Sequence, residues 1–93
     1  MITDQFTPVH NPAVLHYHLL DEMVVYHPAT FQAASLNESP REIWELCDGT
    51  RTIEHICLEL ARPRGMEPAQ LREDVMRGVS RLCDLGFLCC DGG

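Results

Sequence analysis

No lysine occurs in these 93 residues: all the basic charge rests on seven arginines, against 14 acidic residues, for a formal net charge of −7. A surface of that sign repels phosphate and argues against a nucleic-acid partner. Long apolar runs are also missing, where a membrane-spanning helix needs about 20 consecutive apolar residues. The first twelve residues, MITDQFTPVHNP, have neither a basic start nor an apolar segment, so no signal peptide or membrane partner is expected and the expected location is the cytoplasm. There is no C-x-x-C pair, no internal repeat and no low-complexity segment. Five cysteines cannot all pair, and without a secretory signal they are expected as reduced thiols. Cys47, Cys57 and Cys83 sit at apolar helix positions, where a free Cys behaves as a small hydrophobe. The length fits one domain with one modest core, burying roughly two-thirds of its unfolded surface.

What is present is organised around residues 36–60, LNESPREIWELCDGTRTIEHICLEL. Ser39 as cap, Pro40 in the first helical turn and Glu42 three residues after Ser39 predict a capping box and a helix start. Ile43, Leu46 and Cys47 follow on one face with Trp44 beside them, and Asp48-Gly49 stops the helix. Thr52 caps a second helix carrying Ile53, Ile56, Cys57 and Leu60. Two short helices joined by a tight turn make a helix-turn-helix pattern.

Upstream, the pattern is that of strands. Residues 1–12, with Pro8 and Pro12 and no clean period, read as a loosely held arm. VLHYHLL alternates, His16 and His18 to one side and Leu15, Tyr17 and Leu19 to the other, as a half-buried strand does. Met23-Val24-Val25-Tyr26-His27 makes a second strand and residues 31–36, FQAASL, a third, together an antiparallel meander that the helices must cover. The small residues of the third strand leave room for something to lie beside it. Downstream, Arg62-Pro63-Arg64-Gly65 breaks the chain and Glu67-Pro68 begins a long helix, with Leu71, Val75, Val79, Leu82 and Cys83 or Gly86 on its core face. Phe87 and Leu88 are expected to dock back, and residues 89–93 to trail off. The fold class is α+β: three antiparallel strands, then three helices, over residues 13–88.

Three other chemistries are conceivable on these residues. His55 and Cys57, two apart on a helix, face different ways and cannot form a nucleophilic pair, so no enzyme activity is expected. His16 and His18 share a strand face, with Cys89 and Cys90 as conceivable soft ligands, but a second half-site is missing, so no metal or other cofactor is expected. Helix-turn-helix plus a longer helix raises a winged-helix DNA-binding regulator as the alternative, yet that last helix interleaves Arg72, Arg77 and Arg81 with Glu73 and Asp84 rather than presenting a basic face. There remains a binding module: an exposed strand edge that an extended peptide completes, beside a groove whose arginines meet acidic residues. The competing use of that edge is cover by the arm or pairing with a second copy in a homodimer.

The order of elements, with Leu36-Asn37-Glu38-Ser39 leading to Ile43-Trp44, then Cys47-Asp48-Gly49-Thr50, then Ile53, Ile56 and Leu60, and finally Asp74-Val75 and Leu82 with Gly86-Phe87-Leu88, resembles the PqqD family over residues 14–88. The resemblance implies a winged helix-turn-helix-like recognition element for ribosomally made, post-translationally modified peptides, itself no catalyst. It implies a leader peptide, PqqA-like, held by strand addition and presented to a radical S-adenosylmethionine iron–sulfur enzyme, PqqE-like, in pyrroloquinoline quinone or related biosynthesis. Carried onto this chain, the peptide contacts would be Phe31, Gln32, Ala33, Ala34, Ser35 and Leu36 on the third strand. Arg72, Met76, Val79 and Cys83 would supply them from the third helix.

Overall fold

A two-residue strand, β1 (Val9–His10), precedes an up-and-down run through β2 (Leu15–Leu19), β3 (Glu22–His27) and β4 (Gln32–Leu36). The chain then forms α1 (Ser39–Leu46), α2 (Ile53–Ala61), a 3-10 turn (Arg62–Arg64), α3 (Pro68–Asp84) and β5 (Leu88–Cys89). The structure is a computed structural model, and it describes residues 5–20, 22–36 and 38–89. β2, β3 and β4 pair antiparallel in that order, and β1 and β5 form a separate antiparallel ribbon. The α+β architecture expected from the sequence, three antiparallel strands followed by three helices, is the one found.

The register sorts the sheet into two faces. Val25 stands opposite Ala34 and His16, and Met23 opposite Leu36 and His18, so these residues share the face turned to the helices. Met23, Val25 and Leu36 are buried there against Trp44, Ile53, Ile56, Val75, Val79 and Leu82. The helices cover β3 and β4 and not β2, which Trp44 of α1 approaches at the His16 ring. All five β2 residues are therefore exposed, and the half-buried strand read from its alternation is corrected. Alternation marks two different faces but does not say that either is covered.

Helix ends follow local chemistry with one exception. Thr52 caps α2 by accepting from the His55 N–H at 3.2 Å, and Glu67 with Gln70 makes a reciprocal capping box on α3. At α1 the cap position is Glu38 rather than the expected Ser39, and the Glu42 N–H bonds the Glu38 carbonyl. Glu38 takes a positive φ of 48°, which turns the chain sharply out of β4 and starts the helix a residue early.

The amino-terminal segment is not a loose arm in its described part. The Phe6 carbonyl accepts from Ile53 N–H, the Pro8 carbonyl from Gly49 N–H, and the Asn11 N–H donates to the Phe87 carbonyl. Pro8 is buried. Residues 5–12 lack a sequence period because they are held by a short ladder and single bonds to three different elements. Gly49, at φ +86°, also gives them room: a Cβ there would stand 3.1 Å from a Val9 methyl. At the other end Cys89 pairs with Val9, so the reading of a tail that trails off from Cys89 is corrected at that residue. Residues 1–4 and 90–93 lie outside the described residues.

The turn between α1 and α2 is fixed by Asp48. Its carboxylate accepts from the Thr50 hydroxyl at 2.6 Å and the Thr50 N–H at 3.0 Å, and from Arg51 at 2.8 Å. The Thr50 bonds, with Arg51 behind them, lower its pKa from 3.8 to about 2. A carboxylate depressed on folding stabilises the fold above its unfolded pKa, and that contribution fades as pH falls from about 4 toward 2. Asp48→Asn is therefore expected to flatten the acid limb of a melting-temperature profile over that window. Parallel profiles for parent and variant would refute the assignment.

Candidate functional site

β4 is the outer strand of its sheet, with no further strand on its free side among the described residues. Such an edge offers N–H and C=O groups at regular spacing. Beside it runs a groove of about 460 Å³ between β4, α1 and α3. The strand contributes Ala34, Ser35 and Leu36, and the opposite wall is one face of α3, where Leu71, Val75, Gly78 and Leu82 recur every three or four residues, continued by Leu85 at its C-cap. Pro40, Ile43 and Leu60 complete the lining.

The groove is apolar inside and charged at its rim. Arg64 pairs with Glu42 and donates to the Leu60 carbonyl at 2.7 Å, bracing the 3-10 turn against α1. Arg77 stands 3.4 Å from both Glu73 and Asp74, so much of its charge is answered locally. Arg81 lines the groove and is exposed, and it has no ion-pair partner among the described residues. It is the cation left for an incoming acidic group. Gly78 sets how closely α3 approaches α1, because a Cβ there would lie 2.9 Å from the Ile43 Cδ1.

The strand half of the sequence reading falls together and the helix half does not. Gln32, Ala33, Ala34, Ser35 and Leu36 are successive residues of β4; Ala34, Ser35 and Leu36 line the groove, while Gln32 and Ala33 are exposed along the strand. The Ser35 hydroxyl donates to the carboxylate of Glu22 on β3, 3.0 Å away. Phe31 lies just before the strand at φ +62°, with 78% of its surface exposed. On α3, Arg72 lines a different hollow with Glu54, Cys57, Pro68 and Ala69. Val79 is fully buried, and Met76 packs half-buried against the core. Cys83 is half-buried and disulfide-bonded, correcting the reading of all five cysteines as reduced. An odd count excludes a complete set of bridges, not a single one. Cys47, Cys57 and Cys89 are thiols outside any disulfide, and burial pushes the Cys47 thiol up to about 12.

Arg72, Met76, Val79 and Cys83 thus lie on a face of α3 turned away from the groove. The residues that do line it, Leu71, Gly78, Arg81 and Leu85 among them, were missed because two helix faces are apolar and periodicity alone does not say which partner each one meets. The legible signal was Gly78. A glycine in a helix interior costs about 1 kcal/mol relative to Ala and points to a close approach of another element.

His55 is exposed and Cys57 buried, so the two do not meet. Among the described residues no three His, Cys, Asp or Glu side chains converge on one point, and no helix is long and apolar enough to cross a membrane.

A family model described as Coenzyme PQQ synthesis protein D (PqqD) matches residues 22–88. Among solved structures, the chain is similar in fold to "TbiB1 in Complex with the TbiA(beta) Leader Peptide", with a TM-score of 0.76 and 21% sequence identity. That likeness covers 86% of this chain and 93% of the other. No curated protein sequence matches the chain.

Proposed function

The chain belongs to the PqqD family, and from that membership and the free edge of β4 we propose that it is a non-catalytic peptide chaperone. It takes the leader segment of a ribosomally made precursor peptide as an added strand and presents it to a modifying enzyme. The finer reading is a PqqA-like peptide and a PqqE-like radical S-adenosylmethionine iron–sulfur enzyme, in pyrroloquinoline quinone or a related pathway. The observation that carries the proposal is the edge of β4, unpaired among the described residues, lying directly beside an apolar groove. The similarly folded TbiB1 was solved with a leader peptide, which supports the same class of ligand.

The groove matters because a ladder alone does not hold a peptide. Each main-chain hydrogen bond contributes about 1 kcal/mol net, against about 1–2 kcal/mol for ordering each peptide residue. Burying an aliphatic side chain contributes about 1.5–3 kcal/mol, so two or three side chains in the groove decide affinity and selectivity. The edge then sets direction and register.

A titration of the isotopically labelled protein with leader segments of precursor peptides encoded beside its gene tests this. Amide shifts concentrated on residues 32–36, Leu71, Gly78 and Leu85 are expected. Shifts confined to other surfaces, or produced by duplex DNA and not by any peptide, would overturn it. The rim charge gives a second prediction: Arg81→Glu is expected to weaken binding of an acidic leader about 5–20-fold, with a marked salt dependence. Arg72→Glu, on the other face, should change affinity less than about twofold, because long-range surface charge is screened at physiological salt. Equal losses in both variants would show that net charge rather than the groove governs binding.

A further inference from the structure

β2 reads Leu15-His16-Tyr17-His18-Leu19, the same in both directions. It is the outer strand on the side of the sheet away from β4, and all five residues are exposed. An antiparallel pair of identical strands puts residues related by the two-fold axis opposite each other. With Tyr17 on that axis, Tyr17 meets the partner's Tyr17, Leu15 meets the partner's Leu19, and His16 meets the partner's His18. Either phase of the alternating N–H and C=O groups accepts this register. We propose that two copies of this chain pair through β2, and that the four histidines so assembled form a site for a divalent transition-metal ion such as zinc, which neither copy holds alone.

The two faces of the strand give different reasons. On the outer face Leu15, Tyr17 and Leu19 are 45%, 54% and 58% exposed. Leu15 and Tyr17 stand beside Tyr26 and Val24 of β3, and Leu19 beside Glu22, so the face is a mainly apolar surface open to solvent with one carboxylate at its Leu19 end. Pairing joins two such surfaces edge to edge, leucine against leucine and tyrosine against tyrosine, which cross-strand neighbours favour. β2 carries no acidic residue and no arginine, so although each copy is acidic overall, the seam itself opposes no like charges.

On the inner face His16 and His18 project side by side, their rings 6.4 Å apart and nearly perpendicular. The His16 ring stands edge-on to Trp44 at 6.3 Å, which limits where it turns. One chain supplies only two imidazoles at this point, half of a tetrahedral set. Directly opposite residues of an antiparallel pair have Cβ atoms about 4.5–5.5 Å apart, so the partner brings two more within reach of one centre. A neutral, all-nitrogen set suits zinc, nickel or copper and not magnesium or calcium. The β4 edge stays free in this dimer, so the inference does not depend on the peptide reading.

Sedimentation velocity of the full chain, in EDTA and then with zinc sulfate at one ion per two chains, tests the proposal. Zinc is expected to tighten dimerisation at least about tenfold, by mass action on the form that binds it. Metal analysis of the separated dimer should find one zinc per pair. The double variant His16→Ala with His18→Ala gives up the edge contact of His16 with Trp44, so it should melt a few degrees lower, stay folded, and stay monomeric with zinc. Tyr17→Lys, which sets two ammonium groups against each other on the axis, should block the dimer with or without metal. A zinc-loaded parent that stays monomeric overturns the proposal. So does a double-histidine variant that dimerises with zinc, which would place the metal elsewhere, or a Tyr17→Lys variant that pairs as the parent does.

Discussion

A Trp44→Ala variant is expected to melt about 15–30 °C below the parent. Trp44 is 1% exposed and sits where the helices meet both ends of the strand region. The His10 ring of β1 stacks on the indole at 3.8 Å between ring centres and 8° between planes. The His10 Nε2 also donates to the Trp44 carbonyl at 2.6 Å, and His16 of β2 approaches edge-on. Truncating a buried Trp costs about 3–5 kcal/mol. A domain of this size has about 5–15 kcal/mol in all. His10→Ala separates the share that belongs to the amino-terminal segment: one stack at about 0.5–1.5 kcal/mol and one hydrogen bond at about 1 kcal/mol. Calorimetry on both variants reads the difference. A Trp44→Ala protein melting within a few degrees of the parent would mean that β1 and α1 are not clamped through this side chain.

That clamp also shows where sequence reasoning stops. The helices were legible because their signals are local: Thr52 caps by reaching its own third neighbour, and Gly86, at φ +82°, turns the chain after α3. Strand β4 was legible from its neighbours, a turn before it and a helix start after it. The role of residues 5–12 was not, because the bonds that dock them run to distant parts of the chain, to Gly49, Ile53 and Phe87 among others. The same reason divides the candidate site. Its strand half lies on consecutive residues, of which Ala34, Ser35 and Leu36 line the groove. The helix half required knowing which of two apolar faces of α3 turns toward β4, and that is settled by Ile43 meeting Gly78 across α1 and α3. Both faces of β2 were also readable as a pattern, but only the position of the helices shows that neither is covered.

Proline placed at neighbouring residues of β4 is expected to have opposite effects, and the contrast tests strand addition at the free edge. Alternation along a strand directs the N–H of one of Ala33 and Ala34 toward β3 and that of the other outward. Proline at the inward position removes a bond of the β3–β4 ladder and should lower the melting temperature by several degrees, as loss of one or two kcal/mol does in a domain of this length. At the outward position it leaves that ladder whole, and the fold should survive. What it removes is the donor for an incoming strand, together with the close approach that a pyrrolidine ring blocks. A loss of about 10–100-fold in leader affinity follows from about 1.4–2.8 kcal/mol of lost pairing. Melting curves identify which variant is which, and calorimetric titration with the leader then decides the question. If the well-folded variant binds as the parent does, the peptide is not added to β4, and the apolar groove would have to hold it by side chains alone.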